Sequence, residues 1–187
     1  MILIINICKE EMHYFEFVKP IEDILIRAET PFITKKYSEV TKKDLDSCHR
    51  IIITGTSLKD NSYASAKELF KFNFLKTFDK PILAICGGMQ LLCMINGCKL
   101  VKGQEIGLKN INFNSEYLGA NGSREVYELH NFAVKDDAVL KKNFNIYSRS
   151  SETKFVQAVK HKHLRHYGVL FHPETRNKDM IVNFLSV

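Results

Sequence analysis

Two short segments hold the residues best suited to chemistry. The first is Pro81-Ile82-Leu83-Ala84-Ile85-Cys86-Gly87-Gly88-Met89-Gln90-Leu91-Leu92. An apolar run ends at a cysteine, two glycines follow, and a helical pattern begins. A residue at such a strand-to-helix turn is held in a tight backbone conformation and needs small neighbours. Its side chain leaves the carboxyl end of the sheet, where α/β proteins seat their ligands. The dipole and free N–H groups of the following helix favour a thiolate there. A buried structural cysteine is the ordinary alternative, but packing alone does not call for paired glycines.

The second segment is Tyr167-Gly168-Val169-Leu170-Phe171-His172-Pro173-Glu174. A strand delivers His172 to the sheet edge, and Pro173 stops that strand. Glu174 lies two positions on and can turn back to the imidazole. A nucleophilic cysteine needs a base, and the base needs an orienting partner. His172 and Glu174 are the residue types for those roles, although alone they read as a surface histidine beside a solvated carboxylate. A third segment, Ile52-Ile53-Thr54-Gly55-Thr56-Ser57, ends a buried strand in glycine. The N–H of Gly55 could form one arm of an oxyanion hole, with the N–H of Gly87 as the other. An ordinary strand-ending glycine is the simpler account of that segment taken alone.

These residues must be positioned by the surrounding elements. Ile2 to Ile7, Arg50 to Thr54 and Pro81 to Ile85 read as strands buried on both faces, and Phe32 to Lys36 as a shorter one. Between them, Pro20 to Ala28, Ser62 to Lys76 and Met89 to Ile95 carry helical patterns. In the second helix the apolar stripe is Ala66, Leu69, Phe70 and Phe74. This alternation predicts a mainly parallel central sheet with helices on both faces, a three-layer flavodoxin-like α/β sandwich. The second half changes character. Lys99 to Ser115, Glu125 to Val134, Asn145 to Ser148, Phe155 to Lys160 and Tyr167 to Phe171 predict antiparallel additions, and Asp179 to Leu185 a closing helix.

Length and composition set the outer bounds. The 187 residues suit one domain with a sizeable core, and no repeat or linker divides residues 1–187. The net charge is +6, but the lysines are scattered without an aromatic-interleaved stripe, so no nucleic-acid footprint is expected. No stretch is long and apolar enough for a membrane span. The five cysteines, Cys8, Cys48, Cys86, Cys93 and Cys98, form no Cys-x-x-Cys pair. With no secretory leader in view, a reducing cytoplasmic setting is expected. His161, His163 and His166 tempt a metal reading, yet Lys160, Lys162 and Arg165 among them oppose cation binding. A basic hairpin tip is expected there, with no metal and no cofactor.

The three segments together resemble the class I (triad) glutamine amidotransferases. That family carries a Gly-x-Cys-x-Gly-x-Gln elbow, a Phe-His-Pro-Glu segment near the C-terminus and an upstream Gly-rich oxyanion turn. Here Cys86, Gly88 and Gln90 match the elbow, and Phe171-His172-Pro173-Glu174 matches the distal motif. The order and separations fit over essentially the whole chain. The resemblance implies a Cys86–His172–Glu174 triad that hydrolyses glutamine to glutamate and ammonia, with Gln90 contacting the substrate glutamine. Leu129-His130-Asn131-Phe132-Ala133-Val134 resembles the stretch, best known in the carbamoyl-phosphate synthetase small subunit, that grips the substrate's amino-acid end largely through backbone groups. His130, Asn131 and Phe132 are therefore candidate substrate-binding residues, packing being the alternative for each. Ala84 departs from the family glycine two before the nucleophile, and Thr56-Ser57 departs from the usual Gly-Pro.

The chain contains no P-loop, so the resemblance implies that ammonia passes to a separate ATP-dependent synthetase partner. The Ile-Leu-Ile-Ile-Asn start and the Gln-Ala-Val-Lys-His-Lys run before Tyr167 most resemble the separate glutaminase subunit of archaeal-type GMP synthase. A stand-alone γ-glutamyl hydrolase and a non-catalytic regulatory module with the same fold are the alternatives.

Overall fold

A computed structural model describes all 187 residues, Met1–Val187. Nine strands form one sheet: β1 (Ile2–Asn6), β2 (Phe32–Lys36), β3 (Arg50–Ile53), β4 (Ile82–Ile85), β5 (Leu100–Tyr117), β6 (Ala120–Val134), β7 (Phe144–Ser150), β8 (Val156–His161) and β9 (His166–Val169). Their spatial order is β2-β1-β3-β4-β9-β8-β7-β5-β6. The first five in that order run parallel, and β8, β7, β5 and β6 are joined by antiparallel pairing. The sheet is therefore mixed, a five-stranded parallel part carrying the expected antiparallel additions.

Alternation explains the layering. Successive side chains of a strand point to opposite faces. Ile2, Ile4, Ile52, Leu83 and Ile85 join one core with Ile21 and Leu25 of α2 (Lys19–Arg27) and Met180, Ile181 and Phe184 of α7 (Lys178–Phe184). Leu3, Ile5, Ile51, Ile53, Ile82 and Ala84 join the other with Met89, Leu91 and Leu92 of α5 (Gly87–Ile95). Four short helices complete the set: α1 (His13–Phe17), α3 (Lys42–Ser47), α4 (Ala66–Leu69) and α6 (Ala138–Asn143).

The predicted helix over Ser62 to Lys76 is not one helix. Ser62–Ala64 and Phe70–Lys76 are 3₁₀ turns on either side of the four-residue α4. Ser65 takes an extended conformation and caps α4 by accepting from the Glu68 N–H, which breaks the run. The apolar stripe fails with it. Phe70 is 76% exposed, and the buried pair is Phe72 and Leu75, at the three-residue spacing a 3₁₀ turn brings onto one side.

The antiparallel additions are longer than predicted. β5 and β6 make one ribbon whose register runs from Leu100↔Val134 to Tyr117↔Ala120. Its loop is Leu118-Gly119, with both φ angles positive (51° and 78°), the type I′ requirement. Leucine is a rare choice there, so the turn carries none of the usual Asn-Gly signal.

Candidate active site

Cys86 stands at the carboxyl end of β4 and caps α5. Its backbone has φ 48° and ψ −106°, a conformation costly for any residue with a side chain. Two hydrogen bonds hold it there: Cys86 N–H donates to the Val169 carbonyl at 2.7 Å, and Gln90 N–H donates to the Cys86 carbonyl at 3.0 Å. The glycines after it are required by contact. A Cβ on Gly88 would meet the Ile53 carbonyl oxygen at 2.7 Å, and one on Gly87 would crowd Ile7 and Tyr63. Cys86 is 3% exposed, and its thiol lies 3.6 Å from the Leu129 carbonyl. Ala84 fits in the apolar core without exposure, so the extra methyl at that position is accommodated.

His172 follows β9, the parallel neighbour of β4, so the two strands deliver thiol and ring to the same sheet edge. The His172 N–H donates to the Tyr127 carbonyl at 2.9 Å, and the ring packs 5.3 Å from that of Phe17. Nδ1 lies 2.7 Å from Glu174 Oε1, both groups being buried. With Nδ1–H donating to that carboxylate, Nε2 is the nitrogen turned away from it and has no hydrogen-bond partner. Burial alone would push the imidazole down. The Glu174 carboxylate and the Cys86 thiol instead hold it well above the ordinary value. A thiol beside an imidazole oriented by a carboxylate is the arrangement of an activated nucleophile.

Gly55 lies where thiol and ring meet. A Cβ there would sit 2.6 Å from His172 Cε1 and 3.3 Å from Cys86 Cβ. Its carbonyl accepts from the Cys8 thiol at 3.5 Å, which fixes the orientation of that peptide. Burial pushes the Cys8 thiol up to about 11, so it stays a neutral donor. Beyond Gly55, Asp60 ties the turn together. It accepts from Thr56 Oγ1 at 2.8 Å, Ser62 Oγ at 2.9 Å and the Lys9 N–H at 2.5 Å. The departure at Thr56 is thus built into a local network that sequence reading missed. Its only signal was an aspartate within reach of hydroxyl residues on both sides.

The remaining candidates line one cleft with Cys86, but their side-chain polar atoms are turned to protein groups rather than to the cleft. Gln90 accepts from the Tyr63 hydroxyl at 2.7 Å and donates to the Phe132 carbonyl at 2.8 Å. It braces the cleft walls, and Tyr63 is a wall residue the sequence did not single out. Asn131 donates to the Leu58 carbonyl at 3.0 Å and accepts from Gln104 at 2.7 Å. The ring nitrogens of His130 point to buried groups: Nδ1 lies 3.1 Å from the Gly103 carbonyl, and Nε2 faces Glu105 and Glu128. Expected as a substrate contact, His130 presents no free ring nitrogen to the cleft, which leaves its backbone for that purpose. The cleft around Cys86 encloses only about 10 Å³. Next to it, sharing Leu58, Asn61, Asn131 and Phe132, opens a groove of about 800 Å³ bordered by Lys59 and Lys102.

Three further histidines fall elsewhere. His161 and His163 lie at the β8–β9 turn, a basic hairpin tip, while His166 is buried with Nε2 2.8 Å from the Phe78 carbonyl.

Residues 14–186 match the family described as glutamine amidotransferase class-I. The glutamine-hydrolyzing GMP synthase subunit of Pyrococcus abyssi is 34% identical over 146 residues, covering 73% of this chain and 74% of the relative. The corresponding subunit of Pyrococcus furiosus is 31% identical over the same shares of the two chains. Among solved structures, a putative GMP synthase subunit from Thermoplasma acidophilum superposes with TM-score 0.82 at 22% identity, covering 100% of this chain and 93% of that one. With family model and fold in agreement, the chain belongs to the class I glutamine amidotransferases.

Proposed function

We propose that this enzyme hydrolyses glutamine to glutamate and ammonia through Cys86, His172 and Glu174. The observation that carries the reading is the meeting of Cys86 with the His172–Glu174 pair at Gly55. The Cys86 thiolate attacks the carboxamide carbon. The N–H groups of Gly55 and Gly87 receive the developing oxyanion. Protonated His172 gives its proton to the departing ammonia, and the neutral ring then takes a proton from the water that releases glutamate from the thioester. Glu174 keeps the ring in register and stabilises its charge. Glutamine enters from the groove beside Asn131 and Phe132, where Lys59 and Lys102 suit its α-carboxylate.

The ammonia passes to a separate ATP-dependent synthetase subunit, that of GMP synthase, which is what the names of the Pyrococcus relatives suggest. A cleft of about 10 Å³ holds roughly one water, so glutamine requires the turn around Asp60 to open. The chain alone is therefore expected to be slow, and the synthetase partner with its nucleotide substrate to accelerate it. Glutamate production is measured for the chain alone, with the synthetase partner, and for Cys86→Ala in both settings. Activity that rises with the partner and vanishes in the variant supports the reading. Turnover retained by Cys86→Ala overturns it.

A further inference from the structure

The β5–β6 ribbon buries a second constellation, separate from the thiol. Glu105 and His130 are register partners, directly opposite each other, and Glu128 lies two residues along on the same face. Glu105 and His130 side chains are 1% exposed and that of Glu128 is fully buried. His130 Nε2 lies 3.4 Å from Glu105 Oε2 and 3.3 Å from Glu128 Oε2, and one ligand atom from each residue falls within 4.8 Å of the others.

The hydrogen bonds around the cluster leave acceptors facing acceptors. His130 Nδ1–H donates to the Gly103 carbonyl, so a neutral ring turns its Nε2 lone pair toward the two carboxylates. Nε2 and both oxygens of Glu128 have no hydrogen-bond partner. Glu105 is held firmly by Ser150 and Thr153 on Oε1 and by Gln157 on Oε2. Two buried carboxylates crowd one imidazole nitrogen with no other cation among them, an arrangement costly in a low-dielectric interior. A proton on Nε2 is the ion-free alternative. A single Nε2–H, 3.4 Å from Glu105 and 3.3 Å from Glu128, cannot donate well to both carboxylates at once. A divalent ion satisfies all three groups and neutralises the set.

We propose that Glu105, Glu128 and His130 form a binding site for a divalent transition-metal ion, of which zinc fits best. One histidine nitrogen and two carboxylate oxygens are ordinary zinc ligands. An ion bound at about 2.0–2.1 Å places tetrahedral ligand atoms about 3.3–3.4 Å apart, the spacing seen from His130 Nε2 to both carboxylates. The imidazole bond to a backbone carbonyl is the outer contact that fixes a metal-bound histidine. The ion's role is positional. It clamps β5 to β6 on either side of Leu129, whose carbonyl faces the Cys86 thiol. In the sequence, His161, His163 and His166 are the histidines that tempt a metal reading, and no metal is expected there. The signal passed over was Glu128-x-His130, which in a strand puts both side chains on one face.

Because the site is closed, the ion loads during folding, and the test begins from refolded chain. Cys86→Ala serves as the background, so that the thiol does not compete for metal. This chain is refolded with Co²⁺ and its visible spectrum recorded, then titrated with Zn²⁺. One Co²⁺ per chain is expected, with d–d absorption, no thiolate charge-transfer band, and displacement by one Zn²⁺. Binding should release protons and strengthen as pH rises. Glu128→Gln and His130→Gln should each weaken binding by more than about 100-fold, while His163→Ala at the exposed hairpin tip leaves it unchanged. Should the buried variants not fold, ¹⁵N spectra of the histidine rings in the background chain decide. Zinc must convert the His130 ring to a metal-bound neutral form. A ring unmoved by zinc, a thiolate band, or affinity unchanged in Glu128→Gln overturns the proposal. None of these readouts depends on glutamine turnover, so the site stands or falls separately from the proposed catalysis.

Discussion

Strands β1, β3 and β4 bury isoleucine, leucine and alanine on both faces, whereas β5 to β8 bury Glu105, Glu128, His130, Ser148, Ser150 and Gln157. The difference follows from pairing. A central parallel strand is covered by helices on both sides, and the apolar side chains of those helices offer a charge no partner. In the antiparallel ribbon, opposite registers bring polar side chains face to face, so that each can meet another. The apolar half holds one strained residue, Cys86, by close packing and two backbone hydrogen bonds. The polar half supplies the wall of the cleft through a hydrogen-bonded interior. Rigid packing thus sets the thiol, and a polar network sets its surroundings.

The sharpest break of this contrast is at the thiol. Cys86→Ala keeps the packing of the apolar half and removes the sulfur, so glutaminase activity should fall on the order of 10⁴-fold or more. Circular dichroism and the melting temperature should stay close to those of the parent. A second pair of variants separates packing from chemistry with the same added methyl. In Gly55→Ala the methyl meets the His172 ring, and activity should drop about 10²- to 10³-fold through loss of the oxyanion geometry. In Gly88→Ala it meets the Ile53 backbone carbonyl, and the loss should appear mainly in stability, about 1–3 kcal/mol by urea unfolding. Equal loss of activity and stability in both variants would erase the distinction between the two positions.

How much of this was legible from residues alone depends on the half. Strand positions β1, β3 and β4 were readable because apolar runs bounded by glycine and proline have few other uses. The thiol, ring and carboxylate were readable because their types and turn contexts are chemically specific. The Ser62–Lys76 region misled because its many phenylalanines imitate a helical stripe, while Ser65 interrupts the backbone. α3 was missed although Thr41 and Asp44 form a capping box, and α6 although Asp137 caps it by accepting from Val139 and Leu140 N–H. Helices this short leave no periodicity to detect. The engagement of Gln90 and Asn131 depends on Tyr63, Leu58 and Gln104, brought from distant parts of the chain, which no local pattern reveals.

The seam between the halves offers a test by pH. His166, on β9, is buried where β4 pairs with it, and burial pushes its ring down to about 4. The unfolded ring, near 6.5, takes up a proton first as pH falls. The stability its neutral form contributes is therefore full above about 6.5 and is lost as pH falls to about 4, on the order of 3 kcal/mol in all. The group's low value also reflects a positive neighbour, His161, while its Nε2–H bond to the Phe78 carbonyl works the other way. Unfolding by urea at a series of pH values should show a steeper fall for the parent than for His166→Gln across that window. Parallel curves would place the charge sensitivity elsewhere.

The smallest effects compare the two interiors directly. Gln157→Leu is close in volume but removes the amide that donates to Glu105 at 2.7 Å. Ile52→Val removes one methylene from a residue with no exposure. The lost donor leaves a buried carboxylate oxygen short of a partner, and a bond to a charged group carries more than a neutral one, so about 2 kcal/mol should be lost. The lost methylene opens a small gap that neighbours partly close, costing about 1 kcal/mol. Urea midpoints give the order. If Gln157→Leu costs no more than Ile52→Val, the amide does not support Glu105, and the polar interior is held by the strand hydrogen bonds beneath it. If it costs more, and refolding with zinc recovers part of the difference, the carboxylates are the groups that need a counterpart, because an ion at Glu105 replaces the positive end of the missing amide.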